Sequence, residues 1–469
     1  MSNHQALLPV SELAELIKTK QLSSVELTKI VLEQAHRLNP EINAYISFRD
    51  EQALAEAAKM DQEIAEGKYR GPLHGIPMAI KDNIYVGGEV TTMASKYHKN
   101  FISEDDATVI AKLKEAGVVL LGKLNMHEYA WGITNNSPHF GPVKNPWKLE
   151  KIPGGSSGGS GAAVTAGMTP VTLGTDTAGS IRIPSSACGL VGLKPTHGLV
   201  AKYGCFPLAW TLDHIGPMAR TVDDAAIVLQ AIAGFDQRDP TSKQVLKSDY
   251  LANINDSLKD KVIGIEEEYF FKDVDAPIEK LVREQIAKLE AQGATVKKVK
   301  IPALQNSEYA ELITSLSEAG TIHYEQLKKD PSHYGDDIRM LFELGALPSA
   351  VEYLQAQQMR RELKAQFKAA LDEVDVIIAP TLPVLPNDIG SDIAMINGQE
   401  VDLLNHVIRF TGPSNLTGLP ALSIPVGMAE GLPVGMQIIG KAFDEATVFN
   451  IAKHVEKSVG FDFIAPIAK

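Results

Sequence analysis

Apolar positions recur every three to four residues through SELAELIKTK, SSVELTKIVLEQAHRLN and EQALAEAAKMDQEIAEG, which predicts helices over much of residues 1–65. Ser23 and Glu26 stand at capping-box spacing at the start of the second. Such a lead is expected to pack on a core that follows it. From Gly71 the pattern changes to GPLHGIPMAIKDN, a short apolar run ending on a lysine, which predicts a buried strand leaving a sheet. ATVIAKLKEAG and VVLLGKLN then give helix, glycine stop and strand. The alternation returns as a helix capped by Thr221, a strand at VIGIEE, a long amphipathic helix near 276–292 and a strand at TVKKVKI. Residues 304–373 read as mainly helical. DVIIAPT, PALSIPVG and VGMQIIG are three strand-like runs, the last two joined by a turn around Gly431, before a helix from about Asp444 to Val459. Helix and strand alternating in this way predict an α/β fold. The expectation is one large domain, residues 1–469, with a mixed, mostly parallel central sheet covered by helices on both faces.

Composition narrows the class. With 44% apolar and 22% charged residues the 469-residue chain has globular usage and can bury a large core. Its formal net charge of −13 opposes binding to phosphate backbones and anionic membranes, so neither nucleic acid nor membrane is an expected partner. Two cysteines, Cys188 and Cys205, are too few for a disulfide scaffold and are expected as free thiols. Neither a leader pattern near the N-terminus nor an uncharged apolar run of membrane-spanning length is found, which gives a cytoplasmic expectation.

The stretch KIPGGSSGGSG, Lys151 to Gly161, admits several readings. A flexible spacer is the common use of Gly/Ser runs, but here small and apolar residues that read as a buried helix and strand follow at once. A phosphate cradle needs the GK[ST] partner, which is absent. GGSSG satisfies G-x-S-x-G, although Asn145, Pro146 and Pro153 stand where a strand should run into the serine, and His406 and His454 lie in helical patterns. A fourth reading starts from GTDTAGSIRIP, where Ser180 follows a strand and backbone N–H groups of Thr177 to Ser180 can converge on one point. Its alternative is that Ser180 caps a helix.

Three separated segments, GIPMAIKDN, PGGSSGGSGAAV and GTDTAGSIRIPSSACGLVGLKPT, together resemble the amidase signature family. The likeness runs from about Gly71 onward, with the signature region within 71–220, and continues through LGKLNMHEYAWG, FGPVKNPW, LDHIGPMARTVDDAA, NLTGLPALSIPVG and GLPVGMQIIGKAFDE. The resemblance implies a Ser-cisSer-Lys triad: Ser180 as nucleophile, Ser156 as bridging serine after a cis Gly155–Ser156 bond, and Lys81 as base. It implies an oxyanion hole at Thr177, Ala178 and Gly179, and neither a metal nor an organic cofactor. Lysine serves as a base only when neutral, so Lys81 must sit where desolvation or a nearby cation disfavours its ammonium form. The run IPMAI leading into it fits that demand. HEYAW at His127 lacks the second histidine of a zinc helix. Many relatives carry Gly-Gly-Ser at the nucleophile where this chain has Ala178-Gly179-Ser180; Asp176 and Arg182 match the family and are expected to brace the loop.

The family includes free-standing amidases and the glutaminase subunit of a tRNA-dependent amidotransferase. In that subunit's pattern an acidic residue reading the substrate's amino group lies seven positions before the asparagine of NLAG. Here NLTG begins at Asn415 and that position is Ile408. Tyr129, Trp131, Trp210 and Phe410 fall in segments that border the acyl pocket in relatives, or are core. The expectation is a serine hydrolase, monomer or homodimer, cleaving an amide, anilide or carbamate with an apolar or aromatic part. Its partners are then that small molecule and water, and the glutaminase subunit is the alternative.

Overall fold

The computed structural model describes residues 3–246, 248–460 and 464–469; residues 1, 2, 247 and 461–463 of the expected domain, the first two in the stretch searched for a leader, lie outside the described residues. The apolar runs become strands of one sheet. In chain order these are β1 Tyr45–Phe48, β2 Pro77–Lys81, β3 Val119–Leu124, β4 Val171–Asp176, β5 Val191–Lys194, β6 His214–Ala219, β7 Val262–Ile265, β8 Thr295–Lys298, β9 Val376–Pro380, β10 Ala421–Ala429 and β11 Leu432–Gly440. They lie side by side as β1-β3-β2-β4-β6-β5-β10-β11-β9-β7-β8.

The sheet is mixed, as expected, with its parallel pairs in two blocks: β2 with β3 and β4, and β7 with β8 and β9. The other neighbours pair antiparallel. Parallel pairing is thus confined to blocks whose strands are linked through helices, such as Thr108–Glu115 before β3 and Ala276–Ala291 before β8. At the centre β10 and β11 pair antiparallel as a tight hairpin, whose turn has Glu430 at φ 51° and Gly431 at φ 74°. Every residue of β2, β3, β4, β6, β9 and β11 is buried, and successive side chains point to opposite faces, so both faces of these strands are covered.

The N-terminal lead forms helices Val10–Lys18, Ser24–Ile42 and Asp50–Ala65, and the capping box closes as expected: Glu26 N–H donates to Ser23 Oγ at 3.0 Å and Ser23 N–H to Glu26 Oε2 at 2.9 Å. The wholly helical reading of this lead misses β1. The run AYISF between two helices has strand propensity and pairs antiparallel with β3. The lead is tied to the core through Asp224, which accepts from Val10 N–H at 2.9 Å and Ser11 N–H at 3.1 Å. Cys188 and Cys205 are free thiols. No described helix is long and apolar enough to cross a membrane.

Two neighbouring strands set the site. β2 and β4 run parallel with Ala79 opposite Thr172 and Ile80 opposite Leu173, so Lys81 and the loop after Asp176 emerge at the same end of the sheet. Carboxyl ends of parallel strands are where α/β sheets place ligands.

Candidate active site

Lys81 is fully buried at the end of β2. Its Nζ lies 2.8 Å from Ser156 Oγ, 2.9 Å from Ser157 Oγ and 2.8 Å from Thr175 Oγ1. Thr175 Oγ1 also accepts from Asn83 Nδ2 at 3.1 Å, and the Ser157 hydroxyl donates to the Thr175 carbonyl at 3.2 Å. Burial pushes the amine down to about 7, against the weaker opposing pull of Cys205, Asp176 and Asp213.

The glycine-serine stretch is no spacer. Residues 152–165 are buried throughout, and the Gly155–Ser156 bond is cis. A Cβ at Gly159 would come within 2.2 Å of the Asn125 carbonyl oxygen, and one at Gly155 within 2.8 Å of the Gly132 carbonyl oxygen. The backbone passes where only glycine fits, and it carries Ser156 and Ser157 to the lysine.

Ser180 follows β4 and precedes the helix Arg182–Cys188. It caps nothing: Ile181 holds the N-cap position and no side chain bonds there. Among the described residues the Ser180 hydroxyl has no hydrogen-bond partner, Ser156 included; the two segments are joined by Ser157 N–H donating to the Ser180 carbonyl at 3.3 Å. Asp176 shapes the loop, its carboxylate accepting from Gly179 N–H at 2.8 Å, Ile181 N–H at 3.2 Å, and Arg182 Nε and Nη2 at 3.0 Å each. Burial opposes that charge, yet the Arg182 guanidinium and Asn415 hold the carboxyl below its usual range. Arg182, also fully buried, reaches the Thr411 carbonyl at 2.9 Å, Ser414 Oγ at 2.6 Å and Asn415 Oδ1 at 2.6 Å. Bracing by this pair is what the motif implied.

Of the three expected oxyanion donors, the Gly179 N–H is already committed to Asp176. Among the described residues, no acceptor faces the N–H groups of Thr177, Ala178 or Ser180. Thr177 is fixed through its side chain, whose hydroxyl donates to Asp213 at 2.6 Å.

Ser180, Thr177 and Ala178 open onto a cavity of 60 Å³ whose walls include Trp131, Ile133, Leu208, Leu341 and Ile408. A second cavity, of 330 Å³, meets it at Ala130, Thr177 and Leu208 and extends past Thr175, Cys205, Trp210 and Asp213. Trp131 therefore lines the cavity onto which Ser180 opens, and Trp210 the adjoining one. Tyr129 and Phe410 border neither cavity. Tyr129 has φ 50° and packs among Phe206, His323, Tyr334 and Phe342, its hydroxyl 2.7 Å from His98 Nδ1; Phe410 is fully buried against Tyr269 and Phe270. Both lie in the core, the alternative left open for them by the sequence, and away from the two cavities. Ser157, Thr175 and Asn83 are not singled out by the sequence, although each lies within a quoted motif.

The histidines weighed as bases are engaged elsewhere: His406 Nδ1 lies 2.9 Å from the Asp402 carbonyl and His454 Nε2 2.9 Å from the Asp256 carbonyl. His127 accepts from Asn135 N–H at 3.2 Å and lies 3.1 Å from Asp337.

Comparison with known proteins agrees with this architecture. The chain is 37% identical to the glutamyl-tRNA(Gln) amidotransferase A-subunit of Marinomonas sp. (strain MWYL1), covering 97% of this chain and 98% of that protein. It superposes with a TM-score of 0.93 at 31% identity, covering 97% of this chain and 100% of the other, on a structure described as an unexpected vestigial protein complex revealing the evolutionary origins of an s-triazine catabolic enzyme. A bacterial aryl acylamidase of the amidase signature enzymes family gives a TM-score of 0.91 at 27% identity over 98% of both chains. The Amidase family model matches residues 26–449, and the chain belongs to the amidase signature family, whose members act on C–N amide bonds.

Proposed function

We propose that the chain is a serine hydrolase that cleaves an amide-type C–N bond through an acyl-enzyme on Ser180. The observation that carries this reading is a buried lysine, brought to about 7, whose amine meets three hydroxyls. A neutral amine has two N–H groups and one lone pair. The Ser157 hydroxyl donates to the Thr175 carbonyl and so accepts from the amine; with Thr175 Oγ1, which also accepts from Asn83 Nδ2, as the second acceptor, the lone pair faces the Ser156 hydroxyl in this reading.

Ser180 Oγ then bonds to the carbonyl carbon while its proton passes to Ser156 Oγ and the Ser156 proton passes to Lys81 Nζ. The electron pair of the C=O bond moves to oxygen, for which we assign the N–H groups of Thr177 and Ala178 as donors, since that of Gly179 is held by Asp176. As the tetrahedral centre collapses the C–N bond breaks, and the proton returns through Ser156 to the leaving nitrogen. Water repeats the sequence and releases the acid from Ser180. Closing the gap between Ser180 and Ser156 is left to substrate binding, as catalytic hydrogen bonds commonly tighten on the substrate.

For the substrate, the largely apolar wall beside Ser180, with Trp131 and Ile408 in it, supports an amide, anilide or carbamate with an apolar or aromatic part, cleaved by the chain as monomer or homodimer. A second reading, the glutaminase subunit of a tRNA-dependent amidotransferase, is favoured by the name and near-full-length coverage of the curated relative, which weigh more for it than for a free-standing amidase. Against it stands Ile408 in the cavity wall, where the glutaminase pattern has an acid.

The test is the purified chain on a panel of aliphatic, aryl and carbamate substrates with glutamine included. Turnover of apolar amides that Ser180→Ala abolishes, with mass added at Ser180 by a serine-directed reagent, is expected. Hydrolysis of glutamine alone, dependent on added partner subunits, establishes the second reading; full activity in Ser180→Ala overturns both.

A further inference from the structure

Into the apolar wall beside Ser180 the helix Ser307–Lys329 sets one carboxyl, Glu311. The residue is 6% exposed, and one carboxylate oxygen accepts from Ser315 Oγ at 2.7 Å, one turn further along the helix. Among the described residues the other oxygen has no hydrogen-bond partner, and no cation is paired with the group. Glu318, two turns on, shows what a satisfied buried acid looks like here: it accepts from Thr211 N–H at 3.0 Å, Thr211 Oγ1 at 2.6 Å and the Tyr353 hydroxyl at 3.1 Å.

Glu311 also lines a third cavity, of 230 Å³, together with Leu312, Asn405 and Ile408, all of which border the Ser180 cavity too. Glu311 is thus part of the wall of both. Gly412 packs on the stem, since a Cβ there would lie 3.4 Å from Glu311 Cγ. Burial without a counter-ion pushes the carboxyl up to about 7. Such a group is completed by a cation that arrives with its own hydrogen-bond donors.

We propose that Glu311 is a specificity residue that binds a protonated amino group at the far end of an otherwise apolar amide substrate. The inference rests on the amidase reading above and adds a feature that reading does not need. An ammonium supplies both donors and the charge the buried carboxylate lacks, while the methylene chain lies along Trp131, Leu312 and Ile408.

The experiment compares 5-aminopentanamide with hexanamide, which differ by an ammonium in place of a methyl group. In the full-length chain, kcat/KM for the amino amide is expected to exceed that for hexanamide by at least about tenfold, and Glu311→Gln to reduce that ratio by about tenfold or more. Binding is measured in parallel by calorimetry on the Ser180→Ala chain, where turnover is not required. There the amino amide is expected to bind more tightly, with the advantage lost in Ser180→Ala/Glu311→Gln. Ile408→Lys, which supplies a competing cation in the same wall, is expected to remove the advantage as well, so the proposal stays testable if Glu311→Gln fails to fold. Equal binding of the two amides, no detectable binding of the amino amide, or an advantage that survives either substitution overturns it. Failure of the amidase reading shows separately, as absence of turnover across the whole substrate panel.

Discussion

Lys81 and Lys123 sit on adjacent strands, β2 and β3, where Ile80 is the register partner of Lys123, and both are buried. Burial pushes both amines down. Their partners differ. Lys123 donates to the Ile84 carbonyl at 2.5 Å and to Thr91 Oγ1 at 2.9 Å, with Asp82 at 3.8 Å; the carbonyl can only accept. Lys81 meets hydroxyls alone, and a hydroxyl can accept in one step and donate in the next. On the proposed reading, desolvation by itself therefore does not mark a base; desolvation among reversible partners does.

The largest break in that comparison is at Lys81. Lys81→Met is expected to lower kcat by about 10³-fold or more with the fold retained, measured by steady-state kinetics beside circular dichroism. Lys123→Met leaves Asp82 buried without its cation and is expected to cost about 3–5 kcal/mol of stability in urea titration, with kcat per folded molecule within about threefold of the parent.

The acid limb of the pH profile tests the same distinction. An ammonium at Lys81 cannot take a proton, so kcat/KM is expected to rise about tenfold per unit below a midpoint of about 7 and to level off above it. A flat profile from pH 5 to 8 contradicts this assignment. The smallest expected effect is that of Thr175→Val, which removes one acceptor of the amine and leaves Asn83 Nδ2 without a partner: about a five- to tenfold loss in kcat with KM little changed.

What the sequence discloses of this site depends on whether a residue's role follows from its neighbours in the chain. Lys81, Ser156 and Ser180 stand in ordered motifs that single them out, and the structure brings Lys81 and Ser156 together; most strands are legible from their apolar runs. Ser157 and Thr175 lie inside the same motifs, yet their part comes from β4 lying beside β2, a tertiary fact. Tyr129 shows the opposite failure. Its positive φ turns the ring into the cluster around His323, and nothing in LGKLNMHEYAWG reveals which way the backbone turns. Short β1 is hidden between helices. Glu311 is invisible because in a helix with charged residues on its outer face an acid reads as solvated; its burial comes from tertiary packing, with Gly412 against its stem.

The anchorage of Arg182 on Thr411, Ser414 and Asn415, and on Gln437 in β11, carries a consequence for biosynthesis. On the proposed reading, a nascent polypeptide that has left the ribosome as far as β5 already contains Lys81, Ser156 and Ser180, but Thr411, Ser414, Asn415 and Gln437, which clasp the loop of Ser180 through Arg182, are still untranslated. Catalytic competence is then expected to wait until nearly the whole message has been read, with products of premature termination inert.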